Sequence, residues 1–375
     1  MVDAIVVGAG PAGSVAALVM ARAGARVLIV DRATHDRDPL CGDLLNSDAV
    51  SYLHALGLNP FDSLANDVVA LRGSRMSTAA GVRMVATPPD VPSPLAVRRR
   101  TFDAWLLGAA IRAGARFEPG WRVRRPLIDD STGLVRGVVI QRGGTGSDVR
   151  LPALIVIAAD GRRSILARRA GLHVPSRIRQ RAAIARVTGI DDVTDLGEMH
   201  IAPGAYCGVT PLGRGVVTLW VATHAPVVRD PAVIIRQFIA GRRALGKRCG
   251  RLQFVDAPRA SGVLASEPRA PGVPGLLLAG DAAGFIEPLA GDGVHLAMIG
   301  GHLAADEALR TIEVGDFEVA AARLDATRRE RLGERMRDAR LRRRWGSVPA
   351  LVRVAPSPGR LALQLMGYVT RESIR

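Results

Sequence analysis

Three cysteines in 375 residues cannot build a disulfide framework. No CxxC pair or His/Cys cluster has metal-ligand spacing, so no metal is expected. Aromatic residues make up only 4% of the chain. Lysine is almost missing: Lys247 is the single one among 51 basic residues, which face 35 acidic ones. The net charge of +16 first suggests a nucleic-acid binder. So lopsided an arginine content reads instead as a coding preference, and no nucleic-acid partner is expected. No run of about 18 apolar residues occurs, so no transmembrane helix is expected. The N-terminal residues Met1-Val2-Asp3-Ala4 carry no basic region and no cleavage site, which makes the cytoplasm the expected location. What the chain has in quantity is apolar content. With 48% hydrophobic and 23% charged residues it is not a disordered chain, and its length allows one large domain or two interlocked ones.

Short apolar runs that end in glycine organise the sequence. Ala4-Ile5-Val6-Val7 reads as a buried parallel strand, residues 12–24 as a helix stopped by Gly24, and Arg26-Val27-Leu28-Ile29-Val30 as a second buried strand. Residues 102–113 and 294–309 read as helices, and 154–158 and 275–279 as further buried strands. Residues 176–225 alternate and carry Pro and Gly turns, the pattern of antiparallel sheet. Residues 143–147 read as a hairpin turn or loop. Beyond about residue 312 the chain reads as helical and arginine-rich until Pro356-Ser357-Pro358-Gly359. The chain is thus expected to leave a first sheet and return to it.

Between the first strand and helix, Gly8-Ala9-Gly10-Pro11-Ala12-Gly13 spells G-x-G-x-x-G. The pattern alone is weak. Inside a βαβ unit, with Asp31 closing the second strand, it specifies a dinucleotide. Gly8 permits the tight turn, Gly10 the close approach of a pyrophosphate, and Gly13 the packing of helix on strand. The helix start at Pro11 and Ala12 offers free N–H groups to phosphate. Asp31 can accept hydrogen bonds from ribose hydroxyls, with Arg32 beside it. A second pattern narrows the dinucleotide to FAD. Gly280-Asp281 ends a strand, and Pro288-Leu289-Ala290-Gly291-Asp292-Gly293 leads through Val294 into a helix. The carboxylate can bind ribityl hydroxyls, and the helix start can face the flavin's N1–C2=O edge, where the reduced ring is negative. Ala159-Asp160-Gly161 follows another buried strand as a third member of the set.

Together these patterns resemble the p-hydroxybenzoate-hydroxylase-like FAD enzymes, from residue 2 to about 310. Two stretches resemble the geranylgeranyl-reductase-like branch: Pro39-Leu40-Cys41-Gly42-Asp43, and Gly284-Phe285-Ile286-Glu287-Pro288 with the glycines that follow. The resemblance implies an α/β fold whose Rossmann-type FAD-binding domain, a parallel sheet, is discontinuous over 1–65, 97–172 and 270–312. It implies an inserted antiparallel-sheet substrate domain over 66–96 and 173–269, and C-terminal helices over 313–375. It further implies non-covalent FAD and a hydrophobic small-molecule substrate: an isoprenoid, a quinone or a polyketide. Val97-Arg98-Arg99-Arg100-Thr101-Phe102-Asp103 resembles the segment whose arginine contacts FAD, a role that falls to Arg99, with Arg98 and Arg100 as alternatives. The reaction is not fixed by the resemblance. Hydride transfer at flavin N5, with NAD(P)H as a donor to be tested, is the leading expectation. An NAD(P)H- and oxygen-dependent monooxygenase is the alternative, and a flavin-binding protein without turnover is a third. The halogenase Trp-x-Trp-x-Ile-Pro is absent, and Gly284 replaces the His of the hydroxylase Gly-Asp-Ala-Ala-His. The reductase segment Tyr-x-Trp-x-Phe-Pro reads Tyr206-Cys207-Gly208-Val209-Thr210-Pro211, so the pocket is expected to fit a substrate other than a long isoprenoid.

Cys41, which the resemblance puts near the flavin, is a candidate to protonate or orient substrate, weighed against a thiol with no redox task. His295, in the first turn after the flavin loop, is a second catalytic candidate, weighed against a capping role. Tyr206 is a third and His200 a pocket candidate, each weighed against a plain sheet residue. Asp43 is expected to hold the Cys-Gly turn. The charge is uneven: residues 323–375 carry 14 Arg against 5 acidic residues, a surplus of nine. Within residues 323–344, Leu324, Leu332, Met336 and Ala339 recur at helical spacing. That face is expected to pack on the FAD domain, or else to serve a peripheral membrane contact that delivers lipophilic substrate. The oligomeric state is not legible.

Overall fold

β1 (Val2–Val7) has its last four residues buried, as a central parallel strand must. The computed structural model describes residues 2–33, 37–78, 81–143, 146–174, 180–224, 229–285 and 291–346, with the side chains of the last helix described to Arg337. From β1 the chain turns through the glycine loop into α1 (Pro11–Arg22), which starts on proline, where no amide is needed, and buries most of its residues. β2 (Val27–Asp31) returns parallel to β1. Then come β3 (Leu44–Leu45), α2 (Ser47–Ala55), α3 (Pro60–Leu64), β4 (Val68–Ala70), the hairpin of β5 (Gly73–Thr78) and β6 (Gly81–Ala86), and β7 (Leu95–Val97). α4 (Arg99–Arg112) leads to β8 (Arg116–Pro119), beside β2. A second hairpin, β9 (Trp121–Ile128) and β10 (Val135–Arg142), feeds β11 (Val149–Ala158) and α5 (Ile165–Arg169). Four long strands follow: β12 (Arg181–Thr188), β13 (Leu196–Ala202), β14 (Ala205–Pro211) and β15 (Val217–Thr223). After α6 (Pro231–Ala240), α7 (Arg243–Arg248), β16 (Gln253–Phe254) and β17 (Arg259–Ala260), β18 (Gly272–Val273) and β19 (Leu276–Leu278) bring the chain back. A short 3-10 turn (Gly280–Ala283), α8 (Gly293–Val314) and α9 (Ala320–Gly346) complete the described chain.

The first sheet runs β18-β19-β11-β1-β2-β8, with β19, β11, β1, β2 and β8 all parallel. The second runs β16-β12-β15-β14-β13-β5-β6 and is antiparallel except where β13 meets β5. This is the expected α/β architecture of a Rossmann-type parallel sheet, an antiparallel sheet and C-terminal helices. A small third sheet, β3-β7-β4, was not expected; it straddles the point near residue 97 where the expected division changes from substrate to FAD domain.

Each face of the parallel sheet is covered. Small residues on α1 (Ala12, Ala16, Ala17) let that helix lie close to the sheet and to α8 and α9, in a core that includes Leu303, Leu324 and Leu332. The other face packs under the β9–β10 hairpin and α5, with Ile5, Val156, Val138 and Leu166 fully buried. The expected apolar face of the arginine-rich helix therefore docks on the first sheet's helices, through Leu324, Leu332 and Met336. The side chain of Ala339, the break at residues 356–359 and the apolar end lie outside the described residues.

Candidate active site

A cavity of about 850 Å³ lies between the carboxyl ends of the parallel strands and the inner face of the antiparallel sheet. Its first wall is the glycine loop. Gly8 has φ +104°, and a Cβ on it would lie 2.3 Å from the Ala159 carbonyl oxygen; a Cβ on Gly13 would lie 1.8 Å from that of Gly8. Only glycine fits either place. The N-cap Gly10 gives α1 no side-chain cap, so the helix start opens bare toward the cavity. Asp31 closes β2 with its carboxylate holding the Ala9 N–H at 2.7 Å and the Ala33 N–H at 2.8 Å.

Two arginines flank this loop. Arg37 places Nη2 where it would lie 2.9 Å from a Cβ on Gly10, and Nη1 3.6 Å from Asp31. Arg99 grips both carboxylate oxygens of Asp103 at 2.8 and 3.1 Å. Asp103 is 3% exposed and also accepts from Arg37 Nη2 at 2.9 Å. One buried carboxylate thus orients two guanidinium groups that line the cavity. Neither Arg37 nor Asp103 belongs to a glycine pattern, and nothing in the sequence singled them out.

The second wall is the start of α8. Its N-cap, Asp292, makes no side-chain cap; its carboxylate accepts instead from Asn46 Nδ2 at 2.7 Å. Gly293 and Val294 therefore begin a second bare helix start at the same cavity. Asp281 projects from the 3-10 turn beside Arg162, 3.7 Å away. Burial pushes its carboxyl up, against the opposing charges of Arg162 and Arg99. Asp160 accepts the Ile165 N–H at 2.8 Å, beside the N-cap Ser164 of α5, while its Oδ1 is buried with no partner among the described residues. Burial pushes this carboxyl up as well. Gly161 and Gly291 also line the cavity. Gly13, Gly280 and Asp292 stand behind the lining, and Pro288 lies outside the described residues.

Cys41 lines the cavity beside Arg99 and Asp43. Burial pushes its thiol up, so Sγ keeps its proton at neutral pH. Asp43 has the structural role expected of it beside the Cys-Gly turn, and its carboxylate reaches further. Its φ is +56°, and its carboxylate accepts from the Arg99 amide at 2.9 Å and from Thr218 Oγ1 at 2.6 Å. It thus joins the start of α4 to β15. Arg186 on β12 adds a second tie, donating to both oxygens of Asp38 at 2.8 Å and to Asp256 at 2.9 Å.

The other two catalytic candidates are not brought to the cavity. His295 is 4% exposed on the side of α8 that faces α2 and α9; its Nδ1 is 3.2 Å from Arg335 Nη1 and its ring 5.9 Å from Tyr52. Burial, and then the Arg335 charge, push its pKa down to about 3, so the ring is neutral. Tyr206 lies edge-on to Trp220, ring centroids 5.6 Å apart, and its hydroxyl accepts from Gln180. His200 is buried against Glu198, at 2.9 Å. Burial works to raise the Glu198 carboxyl, but hydrogen bonds from Arg248 and His200 outweigh it and bring the pKa down to about 2.

The remaining wall carries an apolar row among polar neighbours such as Ser74 and Thr210. Met76, Met199, Gly208, Trp220 and Ile184 stand in one row across β5, β13, β14, β15 and β12. The cavity therefore has a polar, arginine-flanked side with two open helix starts, and a side suited to hydrocarbon. The polar side fits FAD: a bare glycine cradle and two guanidinium groups for a pyrophosphate, and a second helix start for an electron-rich ring edge.

Residues 1–223 match the family described as FAD binding domain. Over 319 residues the chain is 36% identical to a menaquinone reductase of Mycobacterium tuberculosis, covering 81% of this chain and 76% of that protein. It is 32% identical over 326 residues to digeranylgeranylglycerophospholipid reductase 2 of Methanopyrus kandleri, covering 84% of this chain and 78% of the relative. A geranylgeranyl bacteriochlorophyll reductase-like structure from Thermoplasma acidophilum superposes with a TM-score of 0.75, at 24% identity, covering 88% of this chain and 83% of that one.

Proposed function

Since the chain belongs to the FAD-binding-domain family and is an FAD-dependent oxidoreductase, we propose that it transfers hydride to or from a prenylated lipophilic substrate, of the quinone or isoprenoid lipid class. The observation that carries this reading is the two-sided cavity, with cofactor-binding groups on one side and a row of apolar side chains on the other. The relatives named for menaquinone and for a prenyl lipid support the substrate class. In this reading residues 1–65, 97–172 and 270–312 hold the cofactor, and 66–96 and 173–269 hold the substrate.

FAD, when bound, supplies the hydride-accepting and hydride-donating ring. The chain's own residues do the rest. The amides at the start of α1, with Arg37 and Arg99, hold the pyrophosphate. Asp31 and Asp281 take hydroxyl groups, and the amides of Gly293 and Val294 favour negative charge at the ring edge. Cys41 holds a proton on Sγ at the cavity wall, for a substrate carbon that must be protonated. The apolar row excludes water.

NADPH or NADH is the proposed donor, on the strength of Arg122, Arg124 and Arg169, which line the cavity with no carboxylate partner among the described residues. The test is anaerobic. Reduced holoenzyme is mixed with a prenyl quinone, and flavin reoxidation without oxygen is expected, with the quinone or its side chain reduced. Reoxidation only by oxygen, with an oxygen atom found in the product, overturns hydride transfer in favour of the monooxygenase. A peripheral membrane contact through the basic α9 end is also proposed. No described helix is long and apolar enough to cross a membrane. Co-sedimentation with anionic vesicles, weakened by salt, is the expected result.

A further inference from the structure

Gly208 is one of the two points where the pocket departs from the resembling reductases, and the departure is filled from next door. Trp220 is the register partner of Gly208 on β15. A Cβ added to Gly208 would lie 2.3 Å from Cε2 and Nε1 of the Trp220 indole, so the ring lies flat over β14 where the glycine leaves room. On its other side the indole meets the Cys-Gly turn: a Cβ added to Gly42 would lie 2.6 Å from Trp220 Nε1. The ring is therefore wedged between two residues that have no side chain. Tyr206 braces it edge-on at an interplanar angle of 87°. Two residues earlier on the same face of β15, Thr218 bonds Asp43, which fixes the strand against the turn that carries Cys41. Met199 and Met76 continue the row beyond the glycine, and Ile184 lies on the opposite side.

We propose that Trp220 determines substrate size: its indole is the stop at the sheet side of the cavity, beside the Cys41-Gly42 turn, and a prenyl chain lying over Met76 and Met199 ends against it. Resting on the reading above as a prenyl-substrate enzyme, this assigns the choice among prenyl lengths to one side chain. An indole held by glycines on two sides cannot swing away without a gap opening under it, so it excludes rather than adapts. Removing it leaves apolar space of a ring's size next to the reacting end.

The test uses FAD-loaded protein and measures Kd by calorimetry for naphthoquinones bearing a geranyl or a geranylgeranyl chain. Trp220→Ala is expected to shift the ratio of the two Kd values at least ~10-fold toward the longer chain. Trp220→Leu, which keeps the wall apolar, should shift it in the same direction by less. FAD content and Tm are read in parallel, because a merely structural tryptophan would lower Tm and weaken both quinones alike. An unchanged ratio in both variants overturns the proposal. If wild type binds neither quinone, the substrate reading fails on its own. Trp220 is then judged by the variants: new binding of the geranylgeranyl compound by Trp220→Ala upholds the stop, and continued absence of binding overturns it.

Discussion

Residues differ in how far the sequence displayed them. Gly8, Gly10, Gly13 and Asp31 were legible because each is required by backbone geometry at a fixed spacing. Arg37 and Asp103 were not: they meet across 66 positions of chain, and only tertiary structure joins them. The loss of a side chain at Gly208 was legible, but the ring that fills the space was not, because strand pairing brings Trp220 there. His295 was a catalytic candidate by position and is a buried neutral imidazole instead. That gives a pH prediction. Its folded pKa, about 3, lies below the ordinary 6.5, so the unfolded chain takes up a proton first as pH falls. The stability His295 contributes is present above pH ~6.5 and is lost toward pH ~3, by about 2 kcal/mol at pH ~5. Urea unfolding of wild type and His295→Gln should show a shallower acid slope in the variant; equal slopes would refute it. For Cys41 the expectation is different. Cys41→Ala should keep FAD and lose on the order of 10²-fold or more in turnover. Because burial raises the thiol, wild-type turnover should stay flat through neutral pH and decline only in the alkaline range. Stopped-flow rates against pH, with flavin content as control, check both.

At the scale of elements, the opening βαβ unit was readable because strands buried on both faces are continuous apolar runs. The partnership of β5 with β13 was not readable, since Met76 and Met199 are paired across most of the substrate region and no local pattern records it. The β9–β10 hairpin, inserted ahead of β11, hid for a similar reason: β9 mixes arginine with its apolar residues and has no clean alternation. α9 shows how an arginine-rich helix becomes part of the core. Leu324 and Leu332 are buried, and Arg328 donates at 2.9 Å to the Ala283 carbonyl, bracing the 3-10 turn that carries Asp281. Leu332→Ala is expected to cost about 2–5 kcal/mol in chemical unfolding. Since α9 packs on α8, part of that loss should appear as weaker FAD retention. A fully stable variant would mean that α9 does not dock.

Across the whole molecule the charge divides into two parts. One is the arginine-rich C-terminal stretch. The other lines the cavity: Arg32, Arg122, Arg124, Arg163 and Arg169 face it, with no carboxylate partner among the described residues. Such a field speeds the arrival of a polyanion and is screened by salt. Uptake of FAD by apoprotein should therefore slow as ionic strength rises, while uptake of uncharged riboflavin should not. Equal salt dependence for the two would remove the steering role. The order of the parallel sheet has a consequence for how the protein is made. The proposed cofactor groups come from residues 8–31, 99–103, 160–162 and 281–294, so the glycine cradle leaves the ribosome long before Gly293 does. At about 5–20 residues per second the wait is roughly 15–60 s. During it, β1 and β11 can pair but the cavity has no second helix start, so a nascent chain cannot be rescued early by FAD and is exposed to chaperones and proteases until Gly293 and Val294 have been synthesised.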